Sequence, residues 1–188
     1  MKVLAVSGSP RQAGNTARML GTVLEVCQKA GFETEIYQAG GKPVRGCMSC
    51  GRCFTHAGRC AIDDWINELY QKMAEADAII LGSPTYFADL TTEMKVVIDR
   101  CGYISRSTDA FSRKIGAAVS PVRRAGGIHT LDSMNHFFLI SDMILVGSYY
   151  WNMSLARDEG DYEKDGEGVE TLQRLGENIV WLLSKTHD

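Results

Sequence analysis

Short apolar runs alternate along this chain with segments whose apolar residues recur every three or four positions. The apolar runs predict buried strands, and the wider spacing predicts helices that cover those strands. Regular alternation of this kind is typical of an α/β protein, in which helices lie on both faces of a parallel sheet. Such sheets bind ligands beyond the carboxyl ends of their strands, so we expect a functional site in the loops after the first, third and fourth strands.

Five strands are predicted, at residues 2–7, 33–37, 78–82, 115–121 and 143–146. With 188 residues, of which 45% are hydrophobic, the chain can bury one core of ordinary size. No internal repeat, linker or low-complexity segment divides it. We therefore expect a single domain over residues 1–188, with a cysteine-rich loop at 47–60.

The helical patterns carry recognisable start and stop signals. The first predicted helix begins at Thr16 and ends where Gly31 supplies a stop, and a second follows an N-cap candidate at Asp63. The segment 156–168 is rich in Asp, Glu and Gly, so we predict a solvated loop there. Three further helical patterns run through residues 94–98, 131–138 and 169–182.

The loop after the first predicted strand has the composition of an anion-binding turn. Gly8 and Gly14 allow backbone N–H groups to point inward, and the helix that follows adds the positive potential of its N terminus. A Walker A loop would need Lys where this chain has Asn15, and the three glycines of a dinucleotide fingerprint are absent. The loop therefore predicts a phosphate monoester site, and a plain tight turn between strand and helix is the alternative.

A second loop, Gly82-Ser83-Pro84-Thr85-Tyr86-Phe87, follows the third strand. Aromatic side chains on such a loop can cover a flat heterocycle while main-chain groups bind its polar edge. After the fourth strand, Arg123 and Arg124 lie on a glycine-rich loop, where one cation could sit beside an electron-rich edge of a bound ligand. Solvated loop charges are the alternative interpretation of both arginines.

Together, the motifs Gly8-Ser9-Pro10-Arg11 to Gly14-Asn15-Thr16 and Gly82 to Phe87, with Met94-Lys95 and Asp99-Arg100, resemble those of the NADPH-dependent FMN reductase family of flavodoxin-like proteins. The resemblance implies a three-layer fold with a five-stranded parallel sheet of order 2-1-3-4-5, and FMN as cofactor. It further implies that the FMN phosphate is held by Ser9, Arg11, Asn15 and Thr16. The flavin ring would be met by Pro84, Thr85, Tyr86 and Phe87. A third wall would run from Ser120 to Gly127 and include Arg124, and one cation of this wall could favour the reduced anion of the flavin.

Four of the six cysteines, Cys47, Cys50, Cys53 and Cys60, have C-x2-C-x2-C-x6-C spacing. Zinc is usually bound by two separated pairs, whereas successive short intervals suit a loop wrapped around an iron-sulfur cube. The compact motif resembles that of the iron-sulfur flavoprotein family, which implies that all four cysteines bind one [4Fe-4S] cluster close to FMN. Free thiols, a disulfide and adventitious zinc are the alternatives. We expect the two remaining cysteines, Cys27 and Cys101, to be small core residues.

The charge and composition of the chain limit the classes of partner that we expect. The 23 acidic and 20 basic residues give a net charge of -3, so no broad cationic face is expected for nucleic acid. The apolar N terminus is too short for a signal peptide or a membrane span, and we expect a cytoplasmic protein. The aromatic residues Tyr149, Tyr150 and Trp151, which follow the fifth predicted strand, and the family resemblance favour a homodimer or homotetramer.

These observations predict an FMN-dependent oxidoreductase. It would be either an NAD(P)H-dependent FMN or quinone reductase or an iron-sulfur flavoprotein that exchanges electrons with a ferredoxin-like protein. A small-molecule electron acceptor is expected in the first case. Because the cofactor carries the chemistry, no catalytic side chain is assigned. A non-enzymatic electron carrier or a redox-sensing module is the alternative.

Overall fold

The computed structural model describes residues 1–186 and shows a parallel sheet in the predicted order β2-β1-β3-β4-β5. A sixth strand, which was not predicted, pairs with the carboxyl-terminal half of β4. Three residues are too few to give a periodic signal, which is why the sequence did not reveal it. The strands are β1 (Lys2–Ser7), β2 (Glu33–Gln38), β3 (Ala78–Gly82), β4 (Ile115–Val122), β5 (Ile144–Leu145) and β6 (Met153–Leu155).

Helices cover both faces of this sheet, as the alternating pattern predicts. One face packs against α1 and α6, and the other packs against α3, α4 and α5. Strands β3 and β4 are buried along their whole length because both of their faces are covered. The helices are α1 (Asn15–Lys29), α2 (Arg52–Thr55), α3 (Trp65–Glu75), α4 (Thr92–Ser105), α5 (Gly127–Ile140) and α6 (Gly166–Thr186), with a 3-10 helix at Tyr162–Lys164.

Two predicted strands differ from the buried strands that the sequence suggested. In β2 only Tyr37 is buried, and both residues of β5 are exposed. Both strands lie at the ends of the strand order β2-β1-β3-β4-β5, so neighbouring elements cover them less completely than the central strands. Their apolar residues therefore contribute only part of their surface to the core.

The start of α3 lies one residue later than predicted. Asp64, not Asp63, is the N-cap, and its carboxylate accepts a hydrogen bond from the backbone N–H of Ile66 at 3.2 Å. Asp63 is exposed and forms an ion pair with Arg59. Two adjacent aspartates are equivalent as sequence signals, and tertiary contacts decide which one caps the helix.

The segment 156–168 is not the plain solvated loop that its composition suggested. Ala156 and Tyr162 are buried, and the hydroxyl of Tyr162 donates a hydrogen bond to the hydroxyl of Thr22 on α1 at 2.8 Å. The charged residues of the segment face solvent while its few apolar residues pack inward. This packing brings the segment to the amino-terminal end of α1.

Among residues 1–186, none of the helices combines the length and the apolar character that a membrane span requires. The single-domain organisation stays a prediction, and residues 187 and 188 of the expected domain lie outside the described part of the chain.

Candidate functional site

The loop after β1 leads into the N terminus of α1, which is open for an anion. Gly14 is the N-cap, no side chain caps this end, and the first turn carries no acidic residue. The first backbone N–H groups of a helix lack partners within the helix and carry partial positive charge. Beside them lies a cavity of about 170 Å³. All four predicted phosphate residues line it, namely Ser9, Arg11, Asn15 and Thr16.

Neighbouring elements hold this loop in place from two sides. A Cβ atom on Gly40 would lie 2.1 Å from the carbonyl carbon and oxygen of Ser9, so only glycine allows the chain after β2 to pass so closely. The side chain of Gln38 donates hydrogen bonds to the carbonyls of Ser9 and Gly40. On the other side, the hydroxyl of Thr91 donates to the carbonyl of Gly8 at 2.9 Å. The phosphate loop is therefore preorganised.

The side chain of Asn15 has partners within the protein. Its amide nitrogen donates to the carbonyl of Asp158 at 2.8 Å, and its oxygen accepts from the backbone N–H of Gly160 at 3.2 Å. Asn15 thus joins the start of α1 to the packed segment 156–168. Its amide retains one N–H for a ligand. The sequence missed this second role because the partners are 143 and 145 residues away.

The loop after β3 forms the opposite wall of the same cavity. Pro84, Thr85 and Tyr86 line it, whereas Phe87 lies outside the lining and is fully exposed. The backbone of Phe87 and Ala88 is left-handed, with φ of 46° and 74°. Non-glycine residues adopt this conformation at a cost, and such strained positions cluster at ligand-binding loops. Phe87 therefore projects from the tip of a tight turn.

The predicted third wall is only partly present. Ser120 is buried and its hydroxyl contacts that of Thr85 at 3.1 Å. Arg123, rather than Arg124, lines the cavity. Gly127 lies in the core at the start of α5, where a Cβ atom would be 2.6 Å from Met153 Cε, so its small size serves packing. Pro121, within the predicted third wall, also lines the cavity, whereas the sequence did not single out two other lining residues, Ala156 and Arg157.

Arg157 reaches the cavity because β6 pairs with β4 and Ala156, the residue after β6, continues that pairing. The backbone N–H of Ala156 donates to the carbonyl of Val122 at 2.9 Å. This contact places Ala156 and Arg157 beside the end of β4, on the same side as Arg123. Together with Arg11, these arginines give the cavity three cationic lining residues and no acidic one. Its electrostatics therefore suit an anionic ligand.

The four clustered cysteines surround a second cavity of about 160 Å³. Cys47 and Cys50 are exposed, Cys53 and Cys60 are half-buried, and all are free thiols. Left-handed backbone at Ser49 and Gly51 curls the loop around the cavity. The backbone N–H of Ser49 also donates to the Sγ atom of Cys47 at 3.4 Å. By contrast, Cys27 and Cys101 are buried in the core, as predicted.

The arrangement of these thiols favours a ligand larger than one ion. Burial raises the pKa of the Cys53 thiol, and the neighbouring charges of Cys47, Cys60 and Cys50 raise it further. All four cysteines line the same cavity. Within residues 1–186, however, no three His, Cys, Asp or Glu side chains converge as a single ion requires. Thiols spread around one cavity fit an iron-sulfur cube better than a mononuclear zinc site.

One wall of the cysteine cavity is formed by Arg100 of α4, which is 1% exposed. Its guanidinium forms two hydrogen bonds of 2.7 Å with the carboxylate of Asp64. Burial lowers the pKa of Arg100, but its contacts with Asp64 and Cys60 outweigh this effect and raise the pKa above its ordinary value. Arg100 is therefore a permanent positive charge at the cavity.

The sheet order, the uncapped helix at the end of β1 and the loop after β3 define a flavodoxin-like α/β protein with a cationic cavity at the carboxyl ends of its strands. Residues 1–158 match the family model described as NADPH-dependent FMN reductase. The chain belongs to the NADPH-dependent FMN reductase family. This confirms the predicted fold and the FMN-dependent oxidoreductase class.

Individual relatives agree with this assignment. The chain is 36% identical over 187 residues to an iron-sulfur flavoprotein of Methanocaldococcus jannaschii, with 96% of each chain covered. It is 32% identical over 199 residues to the iron-sulfur flavoprotein of Methanosarcina thermophila, with 100% of each covered. Its fold is similar to that of the crystallised flavodoxin, WrbA-like protein from Agrobacterium tumefaciens. That similarity has a TM-score of 0.69 and 17% identity, and covers 100% of this chain and 99% of the other.

Proposed function

We propose that this protein is an iron-sulfur flavoprotein, an FMN-dependent oxidoreductase that also binds a [4Fe-4S] cluster through Cys47, Cys50, Cys53 and Cys60. The observation that carries the proposal is the set of four free thiols around one cavity, on a chain that also has a cationic cavity beside the open N terminus of α1. The named relatives support it.

The residues around the first cavity fit FMN. The open N terminus of α1 and the cation of Arg11 would bind the phosphate, with hydroxyl donors from Ser9 and Thr16. Pro84, Thr85 and Tyr86 would meet the flavin ring from the opposite wall, with Phe87 covering it from the tip of the loop. Arg123 and Arg157 are better placed than Arg124 to stabilise negative charge on the ligand.

Bound FMN supplies redox chemistry in one- or two-electron steps, and a bound cluster supplies one-electron transfer. The protein contributes binding, orientation and control of the environment. The loops after β1 and β3 are fixed to each other through Thr91 and Gly8, so the phosphate and ring contacts are held at a constant distance. At the cysteine cavity, the cation of Arg100 would offset part of the negative charge of a bound cluster and its cysteine ligands.

Two electron donors suit this arrangement. A ferredoxin-like protein would deliver single electrons through the cysteine cavity, whose Cys47 and Cys50 are exposed. NAD(P)H would deliver a hydride directly to the flavin, and the match of residues 1–158 to a family of NADPH-dependent reductases favours it. A small molecule such as a quinone would then take up the electrons. The homodimer or homotetramer and the cytoplasmic location stay predictions.

The test is anaerobic purification followed by measurement of the visible spectrum, FMN, iron and acid-labile sulfide. We expect flavin bands, a broad iron-sulfur shoulder and about four iron atoms per chain. Flavin bands without iron, even after anaerobic reconstitution, would refute the cluster and leave the FMN reductase assignment. Steady oxidation of NAD(P)H with an added quinone, compared with oxidation of reduced ferredoxin, then identifies the donor. Absence of turnover with either donor would favour a non-enzymatic carrier or sensor.

A further inference from the structure

The contacts of Arg100 reach both ends of the cysteine loop. Its guanidinium donates to the carbonyl of Arg45, two residues before Cys47, at 3.2 Å. It also donates to the carbonyl of Ile62, two residues after Cys60, at 3.2 Å. The side chain of Arg100 therefore holds the two points where the cysteine loop leaves the core and returns to it.

The carboxylate of Asp64 fixes the guanidinium in that position. The two hydrogen bonds between them form the forked pairing that gives Arg its directional preference. Asp64 is itself fixed as the N-cap of α3. The wall of the cysteine cavity is thus built on two helices, α3 and α4, rather than on the loop.

One donor of Arg100 has no partner. Its Nε atom is buried, and within residues 1–186 only one other buried side-chain nitrogen or oxygen, Ser7 Oγ, shares this condition. Buried N–H groups are almost always hydrogen-bonded in native proteins, so an orphan of this kind calls for an acceptor. Arg100 lines the cavity that the four cysteine thiols surround, so sulfur is a class of acceptor that this cavity supplies.

We propose that Arg100 is the positioning residue of the iron-sulfur site: it holds both ends of the cysteine loop against the cavity, and its Nε–H donates to a sulfur of the bound cluster. This inference rests on the cluster proposed above. Hydrogen bonds to sulfur and nearby positive charge stabilise the more negative, reduced cluster, so Arg100 raises its reduction potential.

The first experiment measures the midpoint potential of the cluster in reconstituted holoprotein by an EPR-monitored titration with chemical mediators. Arg100→Lys keeps the charge but loses the Nε donor. We expect its reduction equilibrium to fall about tenfold, which is ~59 mV for one electron. Arg100→Gln loses both the charge and the Nε donor, and the reduction equilibrium constant of its cluster should fall further. The control is Arg59→Gln, which removes a cation of the same loop whose side chain is 62% exposed and therefore screened by solvent.

The outcomes separate this inference from the cluster proposal. If the parent protein holds about four iron atoms and Arg100→Lys has the parent potential, the role of Nε is wrong and the cluster stands. An equal shift in Arg59→Gln would overturn the specific role as well. A parent protein without iron after reconstitution overturns the cluster and this inference together.

A second experiment needs no cluster and does not alter Arg100. In cluster-free protein, Asp64→Asn should loosen the guanidinium and speed amide hydrogen exchange at both ends of the loop, near Arg45 and near Ile62. Asp63→Asn is the matched control, because Asp63 is exposed and pairs with the exposed Arg59. Faster exchange confined to the end next to residue 64, or no change, would overturn the proposed hold on both ends of the loop.

Discussion

Arg11 and Asn15 of the phosphate loop share one predicted role, but the structure indicates that they contribute differently. Arg11 is exposed at the cavity, so Arg11→Ala should leave the free energy of unfolding within about 0.5 kcal/mol of the parent. A hydrogen bond to a charged group is worth about 1.5–3 kcal/mol. We therefore expect Arg11→Ala to weaken FMN binding by roughly 10- to 150-fold.

Asn15→Ala should act mainly on stability. Asn15 is 8% exposed, and its side chain bonds to Asp158 at 2.8 Å and to Gly160 at 3.2 Å. Its removal leaves the partly buried carbonyl of Asp158 and N–H of Gly160 without these partners. At about 1 kcal/mol for each bond, with a further penalty for the unpaired groups, the loss is on the order of 2–3 kcal/mol.

Urea unfolding of FMN-free protein measures the stabilities, and quenching of flavin fluorescence measures the affinities. Riboflavin, which lacks the phosphate, is the matched ligand, and Gln12→Ala, an exposed neighbour in the same loop, is the matched variant. Arg11→Ala should bind riboflavin as the parent does. Equal loss of affinity for FMN and riboflavin would refute the phosphate role. Unchanged unfolding of Asn15→Ala would refute its link to the segment 156–168.

Four further predictions address the remaining features. Cys50→Ala should abolish bound iron and acid-labile sulfide yet keep FMN, whereas Cys27→Ala should keep both; loss of FMN in Cys50→Ala would contradict the separation of the two sites. Asp64→Ala should lower the free energy of urea unfolding by about 3–5 kcal/mol because it leaves the buried charge of Arg100 uncompensated. Asp63→Ala should lower it by no more than about 1 kcal/mol. Equal losses would refute the pairing of Arg100 with Asp64 as the source of this stability. Burial raises the pKa of Cys27 to about 11, so at pH 8 iodoacetamide should label Cys27 only after the protein unfolds. Rapid labelling of the native protein would contradict this and show that the thiol is accessible. Light scattering with FMN bound should show a dimer or tetramer, and a monomer at micromolar concentration would contradict the predicted assembly.

Much of the candidate site could be predicted because it lies in continuous segments of chain. The glycines, hydroxyls and Arg11 of the phosphate loop occur within ten residues of sequence, from Ser7 to Thr16. Pro84, Thr85 and Tyr86 follow β3 directly, and the alternation of strands and helices places both loops at the same end of the sheet. The spacing of the four cysteines is likewise local, and the structure places all four around one cavity.

The differences between the sequence-based expectations and the structure concern residues whose surroundings come from distant parts of the chain. Asp63 and Asp64 are equally good N-cap candidates by type, and Arg100, which is 36 residues away, pairs with Asp64 alone. Similarly, Arg123 and Arg124 are adjacent in sequence, and the pairing of β4 with β6 determines which one lies beside the cavity. Residue type and spacing carry no information on such choices.

By itself, the sequence determined the order of elements, the two cofactor loops and the cysteine motif, because each depends on periodicity or on spacing within a short segment. Only the tertiary structure decided that Asn15 ties α1 to the segment 156–168 and that Arg100 closes the cysteine cavity. Both side chains satisfy buried polar groups that come together only when separate layers pack. The physical reason is that a buried polar group needs a hydrogen-bond partner. Folding can supply that partner from any part of the chain, so its position cannot be read from the local sequence.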